Sequence, residues 1–260
     1  MNNPLGKTFA VVCLLAMPAL GARPASAQTQ EVKEKPPMYT YVAFWEIPRQ
    51  QWADEEKAVA AEQKLTEKGV ADGQLVGYGD DKNLIHEVDG ATHDTWFSAM
   101  SLAGIFNVLD GVYKSGMPTG PVQAGATRHW DNVFVSHYYN WHSGSWRDVY
   151  SAVANYKLKP DAPNDALDSL SKNLIVPVME KLLADGTIHE YEIDTEAIHT
   201  NDPANFWIAY VAANAEALDK VQAAIRDAVR ANPLSLPAFA SMVDVSQHRD
   251  YLARTNATYK

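Results

Sequence analysis

The sequence predicts an α+β protein made of two tandem βαββαβ units, on three observations. A twenty-residue stretch returns 113 positions later. Segments of strand character and segments of helical spacing follow one another in the same order in both halves. Glycines and prolines that stop elements stand at matching places.

The returning stretch covers residues 67–86 and 180–199, where nine of twenty positions are identical: Glu67, Lys68, Ala71, Asp72, Gly73, Tyr78, Asp81, Ile85 and His86. Average composition would give roughly one or two matches. Tyr39-Thr40-Tyr41-Val42-Ala43 also returns as Tyr150-Ser151-Ala152-Val153-Ala154, and Val133, Val135 and Ser136 match Val243, Val245 and Ser246. Small changes of shift between these matches are what loop insertions produce. The expected units are 38–148 and 149–260.

Each unit opens on a strand. Residues 39–47 and 150–158 are rich in aromatic and β-branched side chains and stop at Pro48 and Pro160. A helix follows over about 50–68, with a thin stripe of Trp52, Val59 and Leu65. Its counterpart carries Leu167, Leu170, Leu174, Val178 and Leu182, ends near Gly186, and should kink at Pro177. Strands are expected at 74–78 and 187–193, then at 95–100 and 206–212. Ser101 and Asn214 are placed to cap second helices, which stop near Gly116 and at Asn232-Pro233. Final strands are expected at 132–139 and 241–247. The order in each unit is the ferredoxin-like one, with the helices on one face of the sheet.

With that order in view, Val153-Ala154-Asn155-Tyr156-Lys157-Leu158-Lys159-Pro160 resembles the first strand of the dimeric α/β-barrel superfamily, and Trp96-Phe97-Ser98-Ala99-Met100 resembles its third. The resemblance covers nearly all of 38–260. It implies that two sheets pack toward each other as a barrel, here within one chain, so that a monomer or weak homo-oligomer suffices. The superfamily holds cofactor-free oxygenases, haem enzymes, isomerases and stress proteins, so fold does not choose the function. Its haem-degrading members take their iron ligand from a helix, and none of the four main expected helices contains histidine.

Residues 1–27 read as a secretory signal. Lys7 gives the positive start, 9–20 is apolar, and Ala25-Ser26-Ala27 fits the small-residue cleavage site. The apolar run is shorter than the ~20 residues a membrane span needs. The protein is therefore expected to be secreted or periplasmic, free of the membrane after cleavage, with a flexible polar leader at 28–37. Cys13 is the only cysteine and leaves with the signal, which removes disulfides and thiolate chemistry. Cleavage also removes Lys7 and Arg23, leaving 22 − 2 = 20 bases against 32 acids, a net charge of −12. Such a balance disfavours nucleic acid as a partner. A small-molecule ligand is the expected partner.

Sheets that meet face to face enclose an interior either filled by side chains or open to a ligand. Tyr39, Tyr41, Ala43 and Trp45 share one face of the first strand, and Tyr150, Ala152, Ala154 and Tyr156 share one face of its counterpart. Small alanines beside large rings leave room between sheets. The candidate ligand-binding residues are Tyr41, Trp45, Trp96, Tyr139, Tyr156, Tyr210, His86 and His199. The two histidines hold equivalent positions, either as matched functional groups or as retained structural ones. His137, expected on one face with Val133, Val135 and Tyr139, is the candidate catalytic residue, because its expected counterpart is Gln247. The surrounding run 129–146 packs nine aromatic and histidine residues into eighteen positions. It is either an aromatic wall for a ligand or a strand and connector pressed on the sheet. No metal is expected, since the spacing of His137 and His142 fits no ligand pattern. No cofactor is expected either, and no nucleotide, hydrolase-elbow or metalloprotease motif is present. These features predict an exported small-molecule-binding α/β-barrel protein, with cofactor-independent catalysis open. The alternatives are a barrel oxygenase or isomerase using His137, and a non-catalytic binding module acting through its surface.

Overall fold

Residues 38–46 are rich in aromatic and β-branched side chains and form strand β1 (Met38–Glu46), which ends before the rigid Pro48. In the computed structural model, residues 32–86, 90–201 and 203–260 are described. The expected signal and the start of the leader lie outside the described residues. After β1 come α1 (Trp52–Ala71), β2 (Gly77–Asn83), β3 (His93–Ala99), α2 (Leu102–Ser115), the single-turn α3 (Pro121–Ala124) and β4 (Arg128–Trp141). The Ser101 side chain accepts a hydrogen bond from Gly104 N at 3.1 Å, and α2 stops at Gly116, whose φ of 78° suits glycine.

Strand β5 (Ser145–Lys157) follows β4 after only three residues. Next come α4 (Ala166–Leu170), a π-turn over Ser171–Ile175 and α5 (Val176–Ala184). Pro177 has no N–H to continue the ladder, so the turn widens just ahead of it. Strands β6 (Ile188–Ile198) and β7 (Asn205–Ala212), helices α6 (Ala215–Ala231) and α7 (Ser235–Met242), and β8 (Arg249–Tyr259) complete the chain. Asn214 caps α6 through Ala217 N at 2.9 Å.

The eight strands close into an antiparallel barrel in the order β1-β3-β2-β8-β5-β7-β6-β4. The first four strands lie in the order β4-β1-β3-β2 and the last four in β8-β5-β7-β6. The seams are β2 with β8 and β4 with β6. The expected boundary at 148/149 falls inside β5, and Val32–Lys260 form one compact unit.

The helices cover the outside of the barrel. Tyr41, Ala43 and Phe97 pack there with Ile105 and Val108 of α2, while Ile193, Phe206 and Ile208 pack with Leu182, Leu183 and Val221. A smaller cluster of Val42, Trp96 and Phe134, joined by Phe44 and Trp207, sits inside.

Two expectations need correction. The last strand was expected at 241–247, but those residues are the end of α7 and a 3-10 turn over Val245–Gln247, and the strand is β8. Polar residues hid it: β8 has Tyr251, Ala253 and Thr255 alternating with Asp250, Leu252 and Arg254. The match of Val133, Val135 and Ser136 to Val243, Val245 and Ser246 therefore joins a strand to a helix end and turn, and Gln247 is not the counterpart of His137.

The second correction concerns the strand face. Tyr41 and Ala43 point out to the helices, as does Tyr156, which packs in the cluster beneath α5 and α6. The inward face of β1 is Thr40, Val42 and Phe44, and that of β5 is Ser151, Val153 and Asn155.

Candidate functional site

The barrel encloses a cavity of about 220 Å³. Its walls alternate aromatic and acidic residues. Phe44, Trp96, Trp130, Phe134, Trp207 and Tyr251 supply rings, and Asp81, Asp94, Glu190, Glu192 and Asp194 supply carboxyls. In the order of strands around the barrel, β3 stands opposite β7 and β2 opposite β6. Trp96 on β3 and Trp207 on β7 thus belong to opposite walls, as do Asp81 on β2 and Asp194 on β6.

Trp96 owes its place to Gly79 on the neighbouring strand. A Cβ at Gly79 would lie 2.6 Å from the indole, so only glycine lets the ring lie against the backbone there. Trp96 donates to Asp81, which also accepts from Ser151 and from Thr255 Oγ1 at 2.5 Å. Asp94 sits directly across the β2–β3 ladder and shares a hydrogen bond with Asp81. Two carboxyls in contact hold one proton between them. Burial pushes Asp81 up to about 7, and burial together with the Asp81 and Asp80 charges holds Asp94 well above the ordinary carboxylate range.

The opposite acid is held differently. Asp194 is 4% exposed, and no described residue donates a hydrogen bond to its Oδ1. Burial, then the charge of Glu192, raises its pKa well above the usual range.

Below the cavity a polar network closes the barrel. Thr40 Oγ1 donates to Glu192 Oε2 at 3.2 Å and lies 2.9 Å from Ser98 Oγ. Lys260 Nζ donates to Ser98 Oγ at 3.1 Å and pairs with Glu190 Oε2 at 3.2 Å. It also lies over the Trp96 and Trp141 rings, 5.0 and 5.7 Å from their centroids. Burial works against this ammonium, but Glu190 and Glu192 outweigh it and hold its pKa above the ordinary lysine value. The other end is more open, with Phe44, Trp130 and Asn205 half-buried and Asn201 exposed.

Of the residues singled out in the sequence, Trp96 lines the cavity, and Tyr210 borders it while its ring packs in the outer cluster. Tyr41 lies outside, its hydroxyl donating to Asp131 Oδ1 at 2.6 Å. Trp45 stacks on His129 and Tyr156 on His248, both outside the lumen. His86 is exposed beside Trp52, and His199 is exposed. Tyr139 pairs across the ladder with Glu192, and its hydroxyl donates to Pro36 O at 2.9 Å.

His137 stands at a bulge between Ser136 and Tyr138, which breaks the expected shared face with Val133, Val135 and Tyr139. It does not line the cavity. Its side chain is 39% exposed, with Nδ1 3.1 Å from Lys35 O and 3.1 Å from Glu34 Oε1. Lys35 N in turn donates to His137 O at 2.8 Å, so this part of the leader lies along β4. The run 129–146 proves to be most of β4, the tight connection and the start of β5.

The interior acids were missed, although a signal for two of them was present. Asp81 and Asp194 are the matching aspartates of the returning stretch. Tyr78 and Tyr191 match there too, and Tyr191 donates to Glu180 Oε1 at 2.6 Å on the outside.

The closed antiparallel barrel with helices outside is the dimeric α+β-barrel fold. Solved structures of that fold are similar over most of this chain. One, from Lactobacillus acidophilus and named for a monooxygenase activity, has a TM-score of 0.63 at 12% identity, covering 87% of this chain and 97% of its own. A second protein so named, from Fusobacterium nucleatum, has a TM-score of 0.60 at 10% identity, over 87% and 95%. Chlorite dismutase from Candidatus Nitrospira defluvii, in complex with imidazole, has a TM-score of 0.50 at 13% identity, over 86% and 91%. At such identities the likeness is one of fold. No protein-family description matches the chain, and no curated protein matches it.

Proposed function

We propose that this chain is an exported small-molecule-binding α/β-barrel protein whose ligand occupies the lumen. It would be cleaved after Ala27 and consist of two tandem βαββαβ units, 38–148 and 149–260, that close the barrel within one chain. The matching strand orders of the two halves and the returning stretch support the tandem reading. The observation that carries the ligand reading is the cavity itself, about 220 Å³ and bordered by Trp96 and Trp207, where side chains would otherwise fill the space.

Filling the lumen tests it. Ala209 lines the cavity on β7, and Ala209→Phe places a ring in the space. Protein purified from its own host and weighed under native conditions should carry a bound mass in the wild type that the variant lacks. A wild type that carries no extra mass, or a variant that keeps it, would refute the ligand site.

Catalysis is the second reading, and one observation favours it. Asp81 lies on the lumen with its pKa pushed up to about 7, where a carboxyl exchanges protons readily at neutral pH. An isomerase or oxygenase reaction in this barrel would then use the Asp81–Asp94 pair for proton transfer and need no cofactor. His137 remains the alternative base only for a substrate bound outside the lumen, near the leader.

A further inference from the structure

The chemistry of the lumen says what kind of ligand it takes. Among the described residues five carboxyls line the cavity, and no Lys, Arg or His does. Lys260 lies beneath it and is engaged by Glu190, Ser98 and the Trp96 ring. The acids stand on opposite walls, so a group between them is approached from both sides. Asp194 is buried with an acceptor oxygen to which no described residue donates, and the Lys260 charge acts on it without a hydrogen bond to that oxygen. A buried acceptor without a partner is costly, and only a donor relieves it. Donors on a ligand are N–H or O–H, and a positive one also relieves the mutual repulsion of the acids.

The aromatic walls narrow the choice. Indole faces attract cations, and Trp96 and Trp207 stand on opposite sides of the lumen. A metal ion fits poorly, because among the described residues no three His, Cys, Asp or Glu side chains converge to hold one. For size, an apolar cavity of about 150 Å³ holds benzene, so this one admits a ring bearing a short arm.

Resting on the reading of the cavity as a ligand site, we propose that its ligand is a compact organic cation, an amine carried on a single ring. The ammonium sits between the Asp81–Asp94 wall and Asp194, and donates to the Asp194 carboxyl. The ring lies between Trp96 and Trp207.

Titration calorimetry of the purified protein with three probes of one shape tests this: benzylamine, benzyl alcohol and benzoate. Benzylamine should bind at least tenfold more tightly than benzyl alcohol, with benzoate weakest. Asp194→Asn should reduce the preference for the amine over the alcohol about tenfold, and a circular dichroism spectrum like that of the wild type shows that the variant is folded. Equal or tighter binding of the alcohol or benzoate would overturn the cation proposal and leave the ligand site standing. An amine preference that survives Asp194→Asn would overturn the assigned contact. Binding of none of the three would overturn the proposal, and the native mass of the host-purified protein then decides separately whether the lumen is a ligand site.

Discussion

Asp81 and Asp194 occupy matching positions of the recurring stretch, and both are buried in the barrel wall, yet the two walls treat them oppositely. Asp81 lies across the ladder from Asp94 and accepts from Thr255, Trp96 and Ser151. Asp194 lies across from Trp207 and has no donor on Oδ1 among the described residues. The cause is the residue across the ladder. At the common shift of 113 the partner of Asp81, Asp94, is replaced by the partner of Asp194, Trp207. The same aspartate thus meets a second carboxyl on one wall and an indole on the other. One wall thus has a self-sufficient acid pair and the other an acid that requires a partner from elsewhere.

Replacement by leucine should separate the two walls most sharply. Asp81→Leu strands three donors in the interior and should cost about 3–5 kcal/mol, the range for breaking a buried charged network. Asp194→Leu removes a carboxyl whose Oδ1 has no donor among the described residues and should leave stability unchanged or raise it by about 1 kcal/mol. Urea unfolding of both variants checks the contrast. Equal losses would show that Asp194 is satisfied in solution and that the walls do not differ.

Acid should sharpen the same contrast. A carboxyl with a folded pKa above its ordinary value binds its proton more tightly in the folded protein. Its stabilising contribution is full below the ordinary value of 3.8 and is lost as pH rises to the folded value, about 7 for Asp81. Glu55, buried on α1, and Glu62, half-buried on the same helix, are also pushed up to about 7, chiefly by desolvation, and act in the same direction. The protein should therefore be more stable at pH 5 than at pH 8. Each such group contributes at most about 1.4 kcal/mol per pH unit within the window. Asp81→Asn should flatten the profile measured by thermal unfolding. A wild-type profile that rises from pH 5 to 8 would contradict the direction.

The barrel's outside was legible in the sequence and its inside was not. Ser101 and Asn214 mark their helices because a cap is local chemistry, and the apolar stripes mark the faces that meet the sheet. Strands in this barrel are buried on both sides, by helices outside and by the lumen within. The face with the larger rings, Tyr41 and Trp45, belongs outside, and the other face, Thr40, Val42 and Phe44, lines the site. Alternation reveals that two faces differ and not which of them encloses a ligand. β8 was hidden by its polar residues, and with it went the supposed counterpart of His137. Sheet pairing supplies another candidate: Ser136 pairs with Met38 and Thr255 with Val149, so in the tandem reading Asn256 corresponds to His137. Asn256 is not idle, since it donates to Asp80 Oδ2 at 2.8 Å on the outer side of β2.

That correspondence makes the smallest expected effect the most useful one for deciding between readings. His137 and Asn256 both stand on the outer part of a seam strand, and each ties a neighbouring segment to the barrel, the leader in one case and β2 in the other. If His137 serves only in that way, His137→Gln keeps a donor near Lys35 O and should cost no more than about 1 kcal/mol, the worth of a half-exposed hydrogen bond. Affinity for whatever mass the wild type retains should stay unchanged, in contrast to the loss expected from Ala209→Phe. Thermal midpoint and ligand retention, measured on the same variant, give the answer together. A large drop in retention or turnover with an unchanged midpoint would move the chemistry out of the lumen, to the surface where the leader crosses β4.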